Sequence, residues 1–293
     1  MIVQLNGKEL ANNIYDKLKE NLNLIEHKNN ITLVVIQVGN NEASNVYIKN
    51  KKKACEKVGI NFQHYKFSED TKFDDAVEFI EKINKESYIS GIIVQKPLPE
   101  HLEGIEQFIS PEKDVDGFTF ENLGKLVSGY NGIIPCTPSG ILDLFNYYNI
   151  DLKGKNIVII GRSNIVGKPM AFAALNKDAT ITICHSKTKN LKFYTSNADI
   201  VIVAIGKANY IDSSYLTSKC MCIIDVGINK VDGKLCGDCN YNDIVEYWEK
   251  LEETGYNETR FITPVPGGVG PLTVANLISN TVTQALNKNF IKD

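Results

Sequence analysis

Five runs of consecutive apolar residues constrain the fold of this chain more than any other feature of its sequence. Each run is short and rich in Val and Ile, which is typical of a strand buried on both faces of a parallel sheet. Patterns with the three-to-four-residue spacing of a helix separate the first four, as at 43–58, where Gly59 ends the pattern. This alternation predicts an α/β fold. The apolar runs lie at residues 31–39, 89–95, 155–161, 199–206 and 220–228.

The alternation stops at an irregular segment rich in Pro and Gly, 96–140, and then begins again. We therefore predict two α/β lobes with a cleft between them, the second lobe being a Rossmann-like nucleotide-binding domain. The last helical pattern, at 272–287, is expected to pack back on the first lobe, and a first helix is expected over 7–27. The predicted boundaries are 1–140 plus 271–293 for the first, catalytic lobe and 141–270 for the second.

Composition and charge narrow the classes of function. Hydrophobic residues make up 43% of the chain and charged residues 23%, which is typical of a globular protein. The formal net charge of -3 gives no overall attraction to nucleic acid or to anionic membranes, so neither is expected as a partner. No segment approaches the roughly 18 apolar residues of a membrane span, and the N-terminus has no targeting pattern. A cytoplasmic location is expected.

The seven cysteines are scattered through the chain, which indicates reduced thiols. Cys236 and Cys239 have the spacing of a zinc knuckle, but Cys220 and Cys222 are too close together to complete the site. No metal is expected, and we interpret the thiols as small buried strand residues.

A glycine-rich turn after the third apolar run predicts a nucleotide site. It reads Gly-Arg-Ser-Asn-Ile-Val-Gly, from Gly161 to Gly167. Glycine permits a tight turn and a close approach to a diphosphate, and Pro169 fits the first turn of a helix whose amides would face that anion. Because the spacing differs from G-x-G-x-x-G, a plain strand-to-helix connection remains an alternative.

The next predicted strand favours NADP over NAD as the cofactor. NAD-binding folds usually carry an acid about 20 residues after the glycine turn, where it holds the ribose hydroxyls. Here the strand ends in Cys-His-Ser-Lys-Thr at 184–188, and Arg162 lies in the glycine turn. Donors and cations suit a 2′-phosphate, which an acid would repel. The alternative is that His185 and Lys187 are solvated loop residues.

Tyr47 and Lys51 are four residues apart in a predicted helix and would share one of its faces. A lysine that loses water beside a phenol has a pKa nearer neutrality, which suits it to proton transfer. Short-chain dehydrogenases have the same Tyr-x-x-x-Lys pattern, but there it follows the glycine turn, whereas here it precedes it. A solvated surface role for the lysine remains an alternative. Gln95, at the end of a predicted strand, is well placed to contact a ligand or Lys51.

Two further segments suit a ligand site. Asp114 and Asp116 could cap a helix, bind a metal or hold the amino group of a heterocycle, but two carboxylates are too few for a convincing metal site. Three glycines and three prolines stiffen the loop at 263–271, which could approach a flat ligand or serve only as a connection.

Together these segments resemble the bifunctional methylenetetrahydrofolate dehydrogenase/cyclohydrolase family, in this order and over nearly the whole chain. The resemblance rests on VGNNEASNVYIKNKKKACEKVGI, GIIVQKPLP, PEKDVDGF, IPCTPSGI, VIIGRSNIVGKPM, DVGIN and TPVPGGVGPLT. It implies oxidation of methylenetetrahydrofolate to methenyltetrahydrofolate with NADP, then hydrolysis to 10-formyltetrahydrofolate. It also implies a part in one-carbon metabolism and purine biosynthesis, and a homodimer formed through the second lobe.

The resemblance assigns roles to individual residues. Lys51 would be the catalytic lysine, on which Gln95 would act by a hydrogen bond that helps to set its charge. Tyr47 would pack on the folate ring, and Asp116 would hold the amino-pyrimidine edge of the pterin. The other substrate contacts would come from Lys96, Pro266, Gly267 and Gly268, and the cofactor contacts from Gly161, Arg162, Ser163, Ile165, Gly167, Ser186 and, at the nicotinamide end, Ile228.

Two positions depart from the family pattern. Lys96 stands where the family usually has Leu. If its charge points into the site it would lower the pKa of Lys51, and if only its carbonyl faces the ligand the change is mild. Leu272 replaces a Met of similar volume. Two alternative functions remain: a monofunctional, NAD-linked dehydrogenase of the same fold, and a non-catalytic folate- or nucleotide-binding regulator.

Overall fold

In a computed structural model of the protein, the structure describes residues 1–23 and 31–290, with side chains to residue 287. The chain divides into two compact units. The first, which we call the six-stranded unit, comprises Met1–Ala11 and Thr137–Thr273. The second, the three-stranded unit, comprises Asn12–Cys136 and Val274–Asp293.

The three-stranded unit has a parallel sheet in the order β3-β2-β4. Strand β2 is buried along its whole length, as its unbroken apolar run predicts. On one face, Leu33 and Val35 pack against Ile48 and Cys55 of helix α2. The other face packs against helix α3. The elements are α1 (Gly7–Asn23), β2 (Thr32–Val38), α2 (Glu42–Val58), β3 (Asn61–Phe67), α3 (Phe73–Asn84), β4 (Ile89–Val94), α4 (Phe120–Val127) and α9 (Val269–Phe290), of which α1 and α9 begin in the other unit.

Helix α2 is fixed at both ends by its own sequence. The side chain of Asn41 accepts a hydrogen bond from the backbone N–H of Ser44 and so caps the N-terminus. At the C-terminus, Gly59 adopts a left-handed conformation with φ 88° and donates its N–H to the carbonyl of Cys55, as is common where glycine ends a helix. The prediction of a helix over 43–58 ended by Gly59 is therefore confirmed within one residue.

The six-stranded unit has an all-parallel sheet in the order β1-β11-β8-β7-β5-β6. Strand β5 lies between β6 and β7, so the strand order reverses beside β5, as in a Rossmann-like fold. The core on one face includes Ile160, Val203, Ile244 and Trp248. Its elements are β1 (Ile2–Gln4), α5 (Cys136–Tyr147), β5 (Asn156–Ile160), α6 (Gly167–Leu175), β6 (Thr180–Cys184), α7 (Leu191–Thr195), β7 (Ile200–Val203), β8 (Cys222–Asp225), β9 (Asn229–Val231), β10 (Lys234–Cys236), α8 (Tyr241–Glu253) and β11 (Arg260–Ile262).

The N-terminus departs from the predicted division of the chain. Residues 1–140 were expected in the first lobe, but Met1–Ala11 lies in the six-stranded unit, because β1 pairs with β11 at the edge of that sheet. The three-residue strands β1, β9, β10 and β11 are too short to show a periodic pattern in the sequence. A first helix was predicted over 7–27. Helix α1 is described from Gly7 to Asn23, and residues 24–27 lie outside the described residues.

The sequence expectations on the cysteines and on membrane spans can be compared with the structure. All seven cysteines are free, and six are buried. The interpretation of every cysteine as a buried strand residue is wrong for Cys55 and Cys136, which lie in α2 and α5. It is also wrong for Cys220 and Cys239, which lie outside the named strands, and for Cys236, which is only partly buried. Among residues 1–23 and 31–290, no helix combines the length and apolar character that crossing a bilayer requires.

The buried contact between Ile244 and Trp248 gives a test of the core of the six-stranded unit. Ile244→Ala should lower the free energy of unfolding by about 2–5 kcal/mol, because it leaves a cavity against fully buried neighbours. Trp248, the only tryptophan in the sequence, reports this unit in urea denaturation followed by fluorescence. Val231→Ala, at a position 43% exposed, is the control and should change stability by less than about 0.5 kcal/mol. Equal shifts for the two variants would refute this packing.

Candidate active site

The amine of Lys51 forms the centre of a polar cluster in the three-stranded unit. Its Nζ donates a hydrogen bond to Oε1 of Gln95 at 2.9 Å. Gln95 lies immediately after strand β4, and its own amide nitrogen donates to the carbonyl of Lys96 at 2.8 Å. The expected contact between Lys51 and Gln95 is therefore present, and it joins helix α2 to the carboxyl end of the sheet, where ligands of open α/β sheets bind.

Lys51 differs from the other lysines of its cluster. Lys49, Lys52 and Lys53 are exposed, whereas Lys51 is half-buried and lies one helical turn after Tyr47. Burial lowers the pKa of Lys51 below its ordinary value, while the carboxylate of Asp116 acts in the opposite direction. The sequence left a solvated surface role open for this lysine. In the structure Lys51 is partly desolvated, whereas the neighbouring lysines are solvated.

Asp116 lies close enough to Lys51 for the charge of each group to affect the pKa of the other. Burial raises the pKa of Asp116, and the charge of Lys51 opposes that rise. In both groups burial acts most strongly, so both are shifted toward their uncharged forms. Groups shifted in this way are candidates for exchanging a proton with a bound ligand.

The two acids of the Asp-Val-Asp segment have different roles. Asp114 is buried and accepts hydrogen bonds from the backbone N–H groups of Gly117 at 2.9 Å and Thr119 at 2.7 Å, and from Asn122 Nδ2 at 3.0 Å. It therefore holds the turn that leads into α4. Asp116, two residues later, interacts with Lys51. The spacing of the two acids did not distinguish them, because both lie within three residues of Gly117; only the family resemblance selected Asp116.

Cys136 is a member of this cluster that sequence reasoning missed. Its thiol donates to the carbonyl of Val115 at 3.3 Å and hydrogen-bonds to Asp116. Asn280 of α9 donates to the same carbonyl at 2.9 Å. Burial raises the pKa of Cys136 well above its usual range, so the thiol stays protonated and acts as a donor. The Pro-Cys-Thr-Pro segment was the available signal, but a buried cysteine has no pattern that separates such a role from packing.

The side chain of Lys96 does not point at Lys51. Its Nζ lies 2.9 Å from Glu103 and 3.1 Å from Glu106, two carboxylates on the segment after β4. Its carbonyl instead accepts hydrogen bonds from Gln95 and from Oγ of Ser44, the latter at 3.3 Å. The positive charge of Lys96 is thus paired with these carboxylates and not directed at Lys51, which agrees with the milder of the two possibilities for this replacement.

In the six-stranded unit, the glycine turn is tight enough to require both of its glycines. Gly161 has φ 131°, and a Cβ on it would lie 2.3 Å from the carbonyl oxygen of Ala204. A Cβ on Gly167 would lie 2.1 Å from the carbonyl oxygen of Gly161. The hydroxyl of Ser163 accepts from the N–H groups of Val166 at 3.1 Å and Gly167 at 3.4 Å. The turn therefore presents backbone at close range at the N-terminus of α6, which has no acid in its first turn.

The strand register brings the donors and cations of this edge together. Ile160 at the end of β5 pairs with Cys184 at the end of β6, so the segments that follow them leave the sheet side by side. Arg162, Ser186 and Lys187 on these segments are exposed. A 2′-phosphate needs cations and donors of this kind and the absence of a nearby acid. The residues present fit NADP at this edge.

The remaining predicted residues lie further along the same unit. Ile165, in the glycine turn, is 45% exposed. Ile228, which follows β8, is 47% exposed, and its Cδ1 would lie 3.5 Å from a Cβ placed on Gly270. The segment Pro266–Gly268 follows β11, next to β8 in the sheet. The predicted residues thus form two groups: Tyr47, Lys51, Gln95, Lys96 and Asp116 in the three-stranded unit, and all the others in the six-stranded unit.

Comparison with known proteins covers both units. The family profile described as "Tetrahydrofolate dehydrogenase/cyclohydrolase, catalytic domain" matches residues 5–116. The profile described as "Tetrahydrofolate dehydrogenase/cyclohydrolase, NAD(P)-binding domain" matches residues 135–289. Each profile matches the part of the chain that carries the corresponding group of predicted residues, except that the N-terminal residues of the six-stranded unit begin the catalytic match.

Relatives and solved structures agree with these profiles. The chain is 47% identical to the "Bifunctional protein FolD" of Agathobacter rectalis over 95% of this chain and 97% of the relative. The crystal structure of the bifunctional enzyme FolD from Campylobacter jejuni superposes with a TM-score of 0.91 at 42% identity, covering 98% of this chain and all of that one. The Trypanosoma brucei enzyme, complexed with NADP cofactor and inhibitor, has a TM-score of 0.88 at 30% identity, with 98% of each chain covered.

The polar cluster around Lys51, the glycine turn before α6 and the match of both profiles over nearly the whole length lead to one conclusion. The chain belongs to the tetrahydrofolate dehydrogenase/cyclohydrolase family.

Proposed function

We propose that this protein oxidises methylenetetrahydrofolate to methenyltetrahydrofolate with NADP and then hydrolyses the product to 10-formyltetrahydrofolate, in one-carbon metabolism. The observation that carries the proposal is the half-buried amine of Lys51, hydrogen-bonded to Gln95 and opposed by Asp116. A hydrolytic step on a folate needs a group that can take up a proton near neutral pH, and a desolvated lysine is such a group.

For the first activity, we propose that Gly161, Ser163 and Gly167 hold the diphosphate and that Arg162 and Ser186 hold the 2′-phosphate. Ile165 would contact the same half of the cofactor, and Ile228 the nicotinamide half. Bound NADP would supply the ring that accepts a hydride from the methylene carbon of the substrate. The protein's contribution is orientation: a stiff turn at the end of β5 and apolar side chains that exclude water.

For the second activity, Lys51 would manage the proton. Addition of water to the methenyl carbon releases one proton, which an amine with a lowered pKa can accept. As the ring C–N bond breaks, the amine returns that proton to the ring nitrogen, and the hydroxyl proton leaves as the formyl C=O forms, so one proton is released overall. Gln95 restrains the amine through the hydrogen bond to its Oε1. Tyr47, exposed one turn away on α2, would stack on the pterin. Asp116 would accept hydrogen bonds from its amino-pyrimidine edge.

The remaining substrate contacts would come from backbone. Lys96 would contribute its backbone by contact, since its amine is paired with two carboxylates and its carbonyl already accepts from Gln95 and Ser44. Pro266, Gly267 and Gly268 form a stiff segment with little side chain, which suits the close approach of a flat ring. We propose that this segment borders the ligands, as the family resemblance implies.

We also propose a homodimer formed through the six-stranded unit, a cytoplasmic location and a supply of formyl groups to purine biosynthesis. Strand β6 supports the first of these, because it lies at an edge of the sheet with Ile183 37% exposed. The seven free thiols support a reducing compartment.

Neither alternative function has an observation in its favour. The NAD-dependent methylenetetrahydrofolate dehydrogenase of Saccharomyces cerevisiae has a TM-score of 0.76 but only 20% identity, which shows a shared fold and no more. A non-catalytic regulator would have no use for a desolvated lysine, whose burial costs free energy.

Replacing the amine tests the second activity. Lys51→Met should lower the cyclohydrolase kcat by about 10²–10⁴-fold, the usual contribution of a proton-transfer group, while the Kd for the folate changes little. Lys49→Met is the matched control, because Lys49 lies on the same helix and is exposed. The assay is hydrolysis of methenyltetrahydrofolate without cofactor. Wild-type turnover in Lys51→Met would refute the assigned role.

Replacing the guanidinium tests the cofactor assignment. Arg162→Ala should raise the KM for NADP by about tenfold or more, since a hydrogen bond to a charged group contributes roughly 1.5–3 kcal/mol. The KM for NAD, which has no 2′-phosphate, should stay unchanged. Lys177→Ala, an exposed lysine after α6, is the control. A parallel loss with NADP and NAD would place Arg162 elsewhere on the cofactor.

The charge of Asp116 tests the electrostatics of the site. Because the carboxylate raises the pKa of Lys51 against the effect of burial, Asp116→Asn should lower that pKa further, and the amine should stay neutral to a lower pH. Titration of the Lys51 side chain by NMR measures this directly in the ligand-free protein. Glu56→Gln, an exposed change on the same helix, should leave the pKa in place. An unchanged or raised pKa in Asp116→Asn would contradict the proposed pairing.

A further inference from the structure

Two buried carboxylates at the carboxyl edge of the six-stranded sheet are unused by the proposed chemistry. Asp225 is the last residue of β8 and is 4% exposed, and Asp238, shortly after β10, is fully buried. Neither forms an ion pair with a lysine or arginine in the described part of the chain. A buried carboxylate without a cation is costly unless hydrogen-bond donors surround it. The donors here are almost all backbone N–H groups.

Asp238 binds the segment that follows β7. Its Oδ2 accepts from the N–H groups of Ile205 at 2.7 Å and Gly206 at 3.0 Å. Its Oδ1 accepts from the N–H of Lys207 at 2.7 Å and from Nδ2 of Asn229 at 2.9 Å. One side chain thus fixes three consecutive peptide units of this segment and ties them to the segment after β8.

Asp225 binds the segment that follows its own strand. Its Oδ1 accepts from the N–H groups of Gly227 at 3.0 Å and Asp238 at 2.9 Å. Its Oδ2 accepts from the N–H of Cys239 at 2.8 Å. Asp225 therefore holds the residue before Ile228 and also holds the backbone of Asp238. Burial raises the pKa of Asp225 to about 6, against the effect of these donors, so near pH 7.5 the group is largely ionised and accepts all of them.

The packing around the two carboxylates leaves no room for a side chain at Gly227 or at Gly237. A Cβ on Gly227 would lie 2.2 Å from Cγ of Asp238. A Cβ on Gly237 would lie 1.9 Å from Oδ2 of Asp225. Each carboxylate is thus packed directly against the backbone of a glycine, so the pair determines the path of both segments.

The position of these segments in the sheet gives them a role. The ends of β5, β7 and β8 are level, since Val203 pairs with both Ile160 and Asp225. In a doubly wound sheet a dinucleotide lies across the point where the strand order reverses, here beside β5. With the phosphates at the ends of β5 and β6, the other half of the cofactor must extend over the ends of β7 and β8. Those ends carry the segments that Asp225 and Asp238 hold.

We propose that Asp225 and Asp238 are positioning residues for the nicotinamide half of NADP, acting through the backbone of Ile205–Lys207 and Gly227–Ile228. The inference rests on the proposed function, because it needs NADP to be the ligand of this edge. It assigns the pair no contact with the reacting atoms. Loss of a carboxylate should loosen the nicotinamide half and leave the adenosine half in place.

Asp238→Asn tests this, because it replaces one acceptor oxygen by a donor that must face backbone N–H groups. The dehydrogenase kcat/KM for NADP should fall by about tenfold or more. The Kd for 2′-phosphoadenosine diphosphoribose, which is NADP without its nicotinamide ring, should stay within about twofold. The substitution changes the segments after β7 and β8 and leaves the segments that hold the adenosine half unchanged. Cofactor-free cyclohydrolase activity should be unchanged. An unchanged kcat/KM would overturn the proposal.

Two controls separate positioning from general damage. Asp243→Asn removes a carboxylate of the same unit that also accepts from backbone, at 2.6 Å from the N–H of Ser213, and should leave kcat/KM and the analogue's Kd unchanged. If Asp238→Asn weakened the analogue as much as it lowered kcat/KM, the pair would be merely structural and the proposal would fail. If Asp238→Asn does not fold, Asn229→Ala removes one donor to the same carboxylate, and an unchanged kcat/KM there would be equally decisive. Absence of NADP turnover in the wild type would instead refute the proposed function.

Discussion

The hydrogen bond between Lys51 and Gln95 is the interaction on which the candidate chemistry depends. It joins a helix capped at both ends to the end of a buried strand, so the amine cannot turn to solvent without losing a partner. Burial lowers the pKa of this amine and raises that of Asp116. The same desolvation that costs stability therefore prepares both groups to exchange protons with a ligand.

In the six-stranded unit, backbone contacts fix the segments that follow the strands, whereas the Lys51 site depends on contacts between side chains. Its strands end at one level, and the segments beyond them are set by backbone contacts: two glycines in the turn after β5, and two carboxylates that bind N–H groups after β7 and β8. We propose that the two glycines make room for the phosphates of the cofactor, while the two carboxylates give the neighbouring segments a fixed path. Orientation of a cofactor requires both, because a ring that reacts by hydride transfer must be held within a narrow range of positions.

The sequence predicted most of the fold, because long apolar runs and helical spacing leave little freedom in how a chain forms a parallel sheet. The position of Gln95 at a strand end predicted contact with a ligand or with Lys51, and the family resemblance implied the hydrogen bond between the two that the structure contains. Spacing alone could not separate Asp114 from Asp116, which only the family resemblance distinguished, because the turn before α4 decides which carboxylate is consumed by backbone donors. The side-chain direction of Lys96 depends on Glu103 and Glu106, which no motif connects to it.

A crystal structure of the protein with a non-hydrolysable analogue of methenyltetrahydrofolate tests the central claim most directly. We expect the one-carbon position of the analogue to lie within hydrogen-bond reach of Lys51 Nζ, directly or through one water, as a proton-transfer group requires. We also expect the amino-pyrimidine edge to meet the carboxyl group of Asp116. An analogue bound with that carbon remote from Lys51, or an amine that has turned away from Gln95 toward bulk water, would contradict the assignment of this lysine.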